Sequence, residues 1–238
     1  AQCLVGSEMC IRDRMRLNDS MNMKYSDMVD YYTMWVHQIK TPIASMHLML
    51  QKEDSEDSRR LRAELFRVEQ YVQMVLCFLR LDSDFTDYVI KEYRVDDIIR
   101  PAVRRLAPQF IMKKLALEYE HTDEVALTDE KWLGFVVEQV LSNAVKYTSS
   151  GSISIKCDGD RLVISDTGIG IAAEDLPRIF DKGYTGFNGR ADRKASGIGL
   201  YLCRRICDNL GHSIKVESAA GQGTTITIGL RRNKLEVE

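Results

Sequence analysis

The chain has 238 residues, 45% of them apolar and 29% charged, which is enough for two compact domains and is the composition of an ordinary globular protein. A formal net charge of −2 excludes a global basic field that would draw in nucleic acid. No run reaches the ~18 apolar residues of a membrane span and no signal peptide stands at the start, so a membrane sensor is expected only outside this sequence. The six cysteines contain no CxxC pair. Cys203 and Cys207 have a spacing that could suit a metal, but no histidine or carboxylate matches it, and buried apolar thiols in a reducing compartment are the simpler reading.

Residues 1–14 show no sustained period and are expected to be a disordered leader or a segment foreign to the natural protein. From about Met15 to Leu50 the pattern is helical, with two adjacent seams. One runs through Met28, Tyr32, Trp35, Ile39, Pro42, Met46 and Met49, the other through Val29, Val36, Ile43 and Leu50. Residues 51–58 read as a turn. A second helix follows, with Leu61, Leu65, Val68, Val72, Val75 and Leu79 at steps of four and three. One hairpin cannot cover faces this wide, whereas two copies forming a four-helix bundle can, so a homodimer is expected. The hairpin domain is placed at 15–83 and the linker at 81–87.

Residues 84–238 change character. Short strands are expected at 89–93, 115–120 and 125–127, and a helix interrupted or bent near Pro101 and Pro108 over 95–113. A strong helix covers 129–147. Alternating strands at 150–155 and 160–166 flank a turn near residues 158–160. A glycine-rich segment at 181–197 leads to a helix from Gly199 that ends at a glycine cap, Gly211, and strands at 213–217 and 224–230 complete a sheet. Helices and strands mix without a regular βαβ repeat. The fold class is therefore α+β: a helical hairpin followed by an α/β sandwich.

Three glycine clusters punctuate this second part: DTGIG (166–170), SGIGL (196–200) and GQGTT (221–225). Glycines let backbone N–H groups approach a ligand, and a helix start favours an anion. Each cluster alone is read equally well as a turn. Together they follow the helix 138–148, EQVLSNAVKYT, on which Asn143, Lys146 and Tyr147 share one face. That face offers an amide oxygen for a metal, a cation for phosphate and an aromatic ring for a base or ribose. No GxxxxGK[ST] motif is present, so the chain is not a P-loop enzyme.

The stretch 35–45, WVHQIKTPIAS, sets His37 with Asp30, Thr33, Lys40, Thr41 and Ala44 on the face away from the apolar seams. Pro42 removes the hydrogen bond to the Gln38 carbonyl, and a bend beside the histidine is expected. His47 and His121 have no such setting.

With these motifs in order, the chain resembles the cytoplasmic catalytic part of a sensor histidine kinase over residues 20–232. HQIKTP is similar to that family's phospho-acceptor box, SNAVKYT to its asparagine box and the glycine clusters to its Bergerat-type ATP site. HQIKTP and TGFNGR (185–190) also resemble kinases that sense envelope stress or peptide antibiotics. The resemblance implies autophosphorylation of His37 by ATP and transfer to an aspartate of a response regulator, in a homodimer on the cytoplasmic side of the membrane. It implies that Asn143 ligates Mg²⁺, Lys146 contacts phosphate and Tyr147 flanks the nucleotide. Asp166 would accept the adenine amino proton, Gly168 and Gly170 would shape the base pocket, and Thr224 would help hold Asp166. Gly197 and Gly199 would present amides to phosphate, and Arg190, Arg193 and Lys194 would give the lid over the site its cations. Gln38 would orient His37, and Thr41 would position a water for phosphatase activity toward the regulator, or else only bond a backbone carbonyl. Three positions depart from the family pattern: Gln38 stands for a carboxylate, Gln139 for an asparagine and Ala195 for a glycine. They sustain an alternative, a non-catalytic dimeric module that binds ATP.

Overall fold

The computed structural model describes residues 2–51, 55–81, 88–186 and 196–231, with side chains from residue 21 onward except residue 22. It divides into two units, residues 1–86 and 87–238. The expected linker at 81–87 lies, apart from Leu81, outside the described residues.

The first unit is a helical hairpin of α1 (Gln2–Leu50) and α2 (Glu56–Leu81). α1 starts at Gln2, not near Met15, so the expected disordered leader is helical. Apolar period reports a packed face and not helicity itself. The stretch holds no proline and one glycine, and an existing helix extends far more readily than a new one nucleates. The Ser55 hydroxyl accepts the Ser58 N–H at 3.1 Å and opens α2.

Tyr25 donates to the Leu79 carbonyl at 2.9 Å, and Arg62 donates to the Leu50 carbonyl at 3.2 Å, so the helices run antiparallel. The two expected seams of α1 divide. Val36 and Ile43 are buried, and Val36 packs with Ile39, Val72 and Leu76. Met28, Trp35, Met46 and Met49 stay exposed. α2 divides the same way: Leu65, Val72 and Leu79 are buried, while Leu61, Val68 and Val75 are open.

In the second unit a five-stranded sheet among the described residues has β2 (Ala116–Tyr119), β4 (Ser152–Asp158), β5 (Arg161–Asp166), β7 (Thr224–Gly229) and β6 (Ser213–Ser218) in that spatial order. β2 runs parallel to β4, and the other pairs are antiparallel. β1 (Lys91–Arg94) and β3 (Val125–Thr128) form a separate antiparallel ribbon. β1 begins two residues later than expected, because the Val89 N–H goes to the Asp129 carboxylate instead of a ladder partner. α3 (Val95–Lys113) packs on α4 (Glu130–Tyr147), and α4 packs on β5 and on α5 (Gly199–Leu210). A 3-10 turn at Leu176–Arg178, unsignalled by any period, lies between β5 and α5.

Alternation aims one face of the sheet at the helices. Ile153, Ile155, Leu162, Ile164, Ile226 and Ile228 are buried, and their neighbours Ser154, Ser165 and Thr227 are not. Cys203 and Cys207 join this core from α5, and burial pushes the Cys207 thiol up to about 12, so it is packed as an uncharged group.

α3 is continuous through Pro101 and Pro108, where an interruption or a bend was expected, so it is not interrupted. Both prolines are exposed, as are Asp97 and Arg104, whose carbonyls lose their bonds. Water can satisfy those carbonyls, and Ile98, Ile99, Ala102, Leu106 and Phe110 hold the other face.

Candidate functional site

α4 starts on a strong cap. The buried Asp129 carboxylate accepts the N–H groups of Lys131 and Trp132 at 2.9 and 3.1 Å. The helix buries Val136, Val140, Leu141, Ala144 and Val145, and Asn143, Lys146 and Tyr147 are half-buried on its last two turns. The Lys146 ammonium lies 5.0 Å from the centre of the Tyr147 ring.

Asp166 closes β5. Its carboxylate accepts the Gly168 N–H at 2.8 Å, and the Thr224 N–H also faces it. Burial nevertheless outweighs these donors and raises its pKa. The buried Thr148 hydroxyl lies beside the same carboxylate and completes no hydrogen bond among the described residues. Thr224 is the cross-strand neighbour of Asp166 in the β5–β7 register, but its hydroxyl pairs with Ser218 Oγ at 3.0 Å. Ser218 Oγ also accepts the Ile171 N–H at 2.9 Å and donates to the Gly223 carbonyl at 2.6 Å. No motif singled out Ser218, since a lone serine ending a strand carries no pattern.

The loop after Asp166 is bound to its surroundings on both sides. The Ile169 N–H donates to the Tyr147 carbonyl at 3.2 Å, and the Ile169 carbonyl accepts the Gly221 N–H at 2.7 Å. Gly170 has φ of 65°, and a side chain there would run into the Ala219 carbonyl, so the position requires glycine. The first and third glycine clusters thus meet one another. The second meets α4: Gly199 opens α5, and a Cβ on it would stand 2.5 Å from Gln139 Nε2. The Gly183 N–H donates to the Gly197 carbonyl at 3.0 Å. Asn143, Lys146 and Tyr147 therefore lie on α4, Gly199 on α5, Asp166 at the end of β5, Thr224 at the start of β7, and Gly168, Gly170 and Gly197 on the loops beside them. Arg190, Arg193, Lys194 and Ala195 lie outside the described residues.

In the hairpin, His37, Gln38, Lys40 and Thr41 are exposed, between the buried Val36 and Ile43. α1 is continuous through Pro42. The Thr41 hydroxyl donates to the His37 carbonyl at 3.4 Å. His47 meets Glu69 of α2 at 3.2 Å.

Residues 128–234 match the family of histidine kinase-, DNA gyrase B- and HSP90-like ATPases. Sensor histidine kinase YxdK of Bacillus subtilis is 34% identical over 205 residues, covering 83% of this chain and 63% of its own. Sensor protein BceS of Halalkalibacterium halodurans is 36% identical, over 82% of this chain and 60% of its own. Sensor histidine kinase GraS of Staphylococcus epidermidis is 37% identical, over 81% and 58%. Over more than four fifths of its length the chain is similar to sensor histidine kinases. It spans about 60% of the length of these kinases. The Acinetobacter baumannii histidine kinase AdeS shares its fold, with a TM-score of 0.56 at 20% identity over 83% of this chain and 98% of that one. The fold class read from the sequence is thus the kinase one, a helical hairpin and a Bergerat-type domain. No helix among the described residues is long and apolar enough to cross a membrane.

Proposed function

We propose that this chain binds Mg²⁺-ATP in its second unit, transfers the γ-phosphoryl group to His37 and passes it to an aspartate of a response regulator. The observation that carries this reading is the presence, in one chain, of an exposed helical histidine and of an α4 face whose Asn143, Lys146 and Tyr147 adjoin the Asp166 loop. The residues fit the ligands. The Asn143 amide oxygen is a hard donor of the kind Mg²⁺ takes. Asp166 keeps lone pairs for an amino group beyond the bond from Gly168, and the Thr148 hydroxyl has bonding capacity left for a base or a water. When bound, Mg²⁺ neutralises charge on the transferring phosphoryl group. Lys146 adds a cation at the phosphates, the amides around Gly197 and Gly199 present donors, and Arg190, Arg193 and Lys194 supply lid cations.

At His37 a neutral ring nitrogen attacks the γ-phosphorus as its bond to the β,γ-bridging oxygen breaks and ADP leaves, and the proton on the other ring nitrogen is lost afterwards. Gln38 orients the ring, with water or a phosphate oxygen as the base. Gln38→Ala is then expected to slow autophosphorylation several-fold and Gln38→Glu to match or exceed wild type, both read as initial rates of label incorporation. A rate for the alanine variant equal to wild type removes Gln38 from the mechanism. Thr41 is assigned to holding water for hydrolysis of the phospho-regulator. Thr41→Ala is expected to lower regulator dephosphorylation at least about tenfold while autophosphorylation persists. Parallel loss of both activities would reduce Thr41 to its bond with the His37 carbonyl.

The exposed stripes Met28, Trp35, Met46, Met49 on α1 and Leu61, Val68, Val75 on α2 support a second copy of the chain as their cover, in a four-helix bundle. The kinase is placed at the cytoplasmic side of the membrane, held by an N-terminal sensor region, as is general for such kinases. Gln38, Gln139 and Ala195 favour one other reading, a dimeric module that binds ATP without transferring phosphate. Incubation with γ-labelled ATP separates the two: label on the protein supports the kinase, and bound nucleotide without label supports the module.

A further inference from the structure

Lys113 is the last residue of α3, and the chain leaves it through Lys114, whose φ of 55° is left-handed. The Lys113 ammonium donates to the carbonyls of Val145 at 2.6 Å, Lys146 at 3.1 Å and Thr148 at 3.1 Å. These are carbonyls at and just beyond the end of α4, where a helix has no partners of its own to offer. A cation there also meets the negative end of the helix dipole. The same turn carries Lys146 and Tyr147. The Tyr147 carbonyl receives the Ile169 N–H of the DTGIG loop, and the Thr148 hydroxyl lies beside Asp166. One ammonium therefore holds to α3 the same end of α4 that binds the loop that would read the base.

We propose that Lys113 is a positioning residue for nucleotide binding, fixing the last turn of α4 so that Lys146, Tyr147 and the Asp166 loop stand ready before ATP arrives. The proposal rests on the ATP reading given above. Its physical content is preorganisation: without the ammonium, three carbonyls lose a charge-assisted partner, the turn frays, and binding must order it again. A strut with no bearing on the site would lower thermal stability and leave the affinity of the folded protein unchanged.

The test uses the whole chain with Mg²⁺-ATP titrated by calorimetry, and the melting temperature measured alongside. Lys113→Met is expected to raise Kd about tenfold, the loss typical of one hydrogen bond to a charged group, with one nucleotide still bound per folded chain. Lys113→Arg keeps the charge and the donors and is expected to recover most of the affinity. Should the methionine variant not fold, Lys113→Gln is read in its place. An unchanged Kd in the methionine or glutamine variant, or an arginine variant as weak as either, overturns the proposal. Failure of the wild type itself to bind Mg²⁺-ATP is a different result, which overturns the ATP reading and this proposal with it.

Discussion

Replacing His37 by glutamine is expected to abolish transfer of label from γ-labelled ATP to the protein while leaving ATP binding and the fold intact. His37 is exposed, and its side chain contributes nothing to the seam formed by Val36, Ile39, Val72 and Leu76. Glutamine keeps a polar side chain of similar reach and good helix propensity, so α1 and its packing should persist. What is lost is the imidazole nitrogen that would accept the phosphoryl group. The neighbouring Gln38 and Thr41 cannot replace it, since an amide is a poor nucleophile and the Thr41 hydroxyl is turned onto the His37 carbonyl. The loss should therefore be to background, with a calorimetric ATP affinity equal to wild type. Residual label on the variant would mean that another residue accepts the phosphoryl group.

Asp166→Asn is the second large effect, and it falls on binding. A carboxylate only accepts hydrogen bonds, whereas an amide turned the wrong way sets donor against donor at an adenine amino group. Affinity for ATP is expected to drop on the order of a hundredfold, a loss that combines a charge-assisted bond with an unsatisfied buried donor. Stability should move the other way. Burial raises the pKa of Asp166 in the folded state, and an acid whose folded pKa lies above its unfolded value opposes folding once ionised. The neutral amide escapes that cost and can still accept the Gly168 N–H, so the melting temperature is expected to hold or rise. Acid should weaken ATP binding in the wild type as the carboxylate protonates, at a higher pH than an unshifted aspartate would require. Equal affinities in the two proteins would remove Asp166 from the base pocket.

Much of this architecture is legible in the sequence because its signals are local. Strands β4 to β7 show a period of two, α4 opens on an aspartate cap, and Gly211 ends α5 in the left-handed conformation its position implies. Signals that depend on tertiary context are not legible. Two prolines in α3 argue for an interruption or a bend, and the buried face of that helix and the exposure of the freed carbonyls keep it from being interrupted. The seams of α1 and α2 read as single faces, and only packing shows that each divides into a stripe spent within the hairpin and a stripe left open. Gln139 reads as a departure from a motif, and its contact with Gly199 requires α4 and α5 to be side by side. Lys113 and Ser218 carry no pattern, because what they bind is backbone brought close by the fold.

The claim on which the rest depends is that the histidine and the nucleotide site are parts of one reaction. The most direct measurement is to incubate the wild-type chain with Mg²⁺-ATP and map any covalent phosphoryl group at neutral pH, then challenge it with acid and with alkali. A phosphoryl group on His37 that is lost in acid and kept in alkali is the expected result. Nucleotide bound with no phosphoryl group on His37, or a phosphoryl group elsewhere that survives acid, would contradict it.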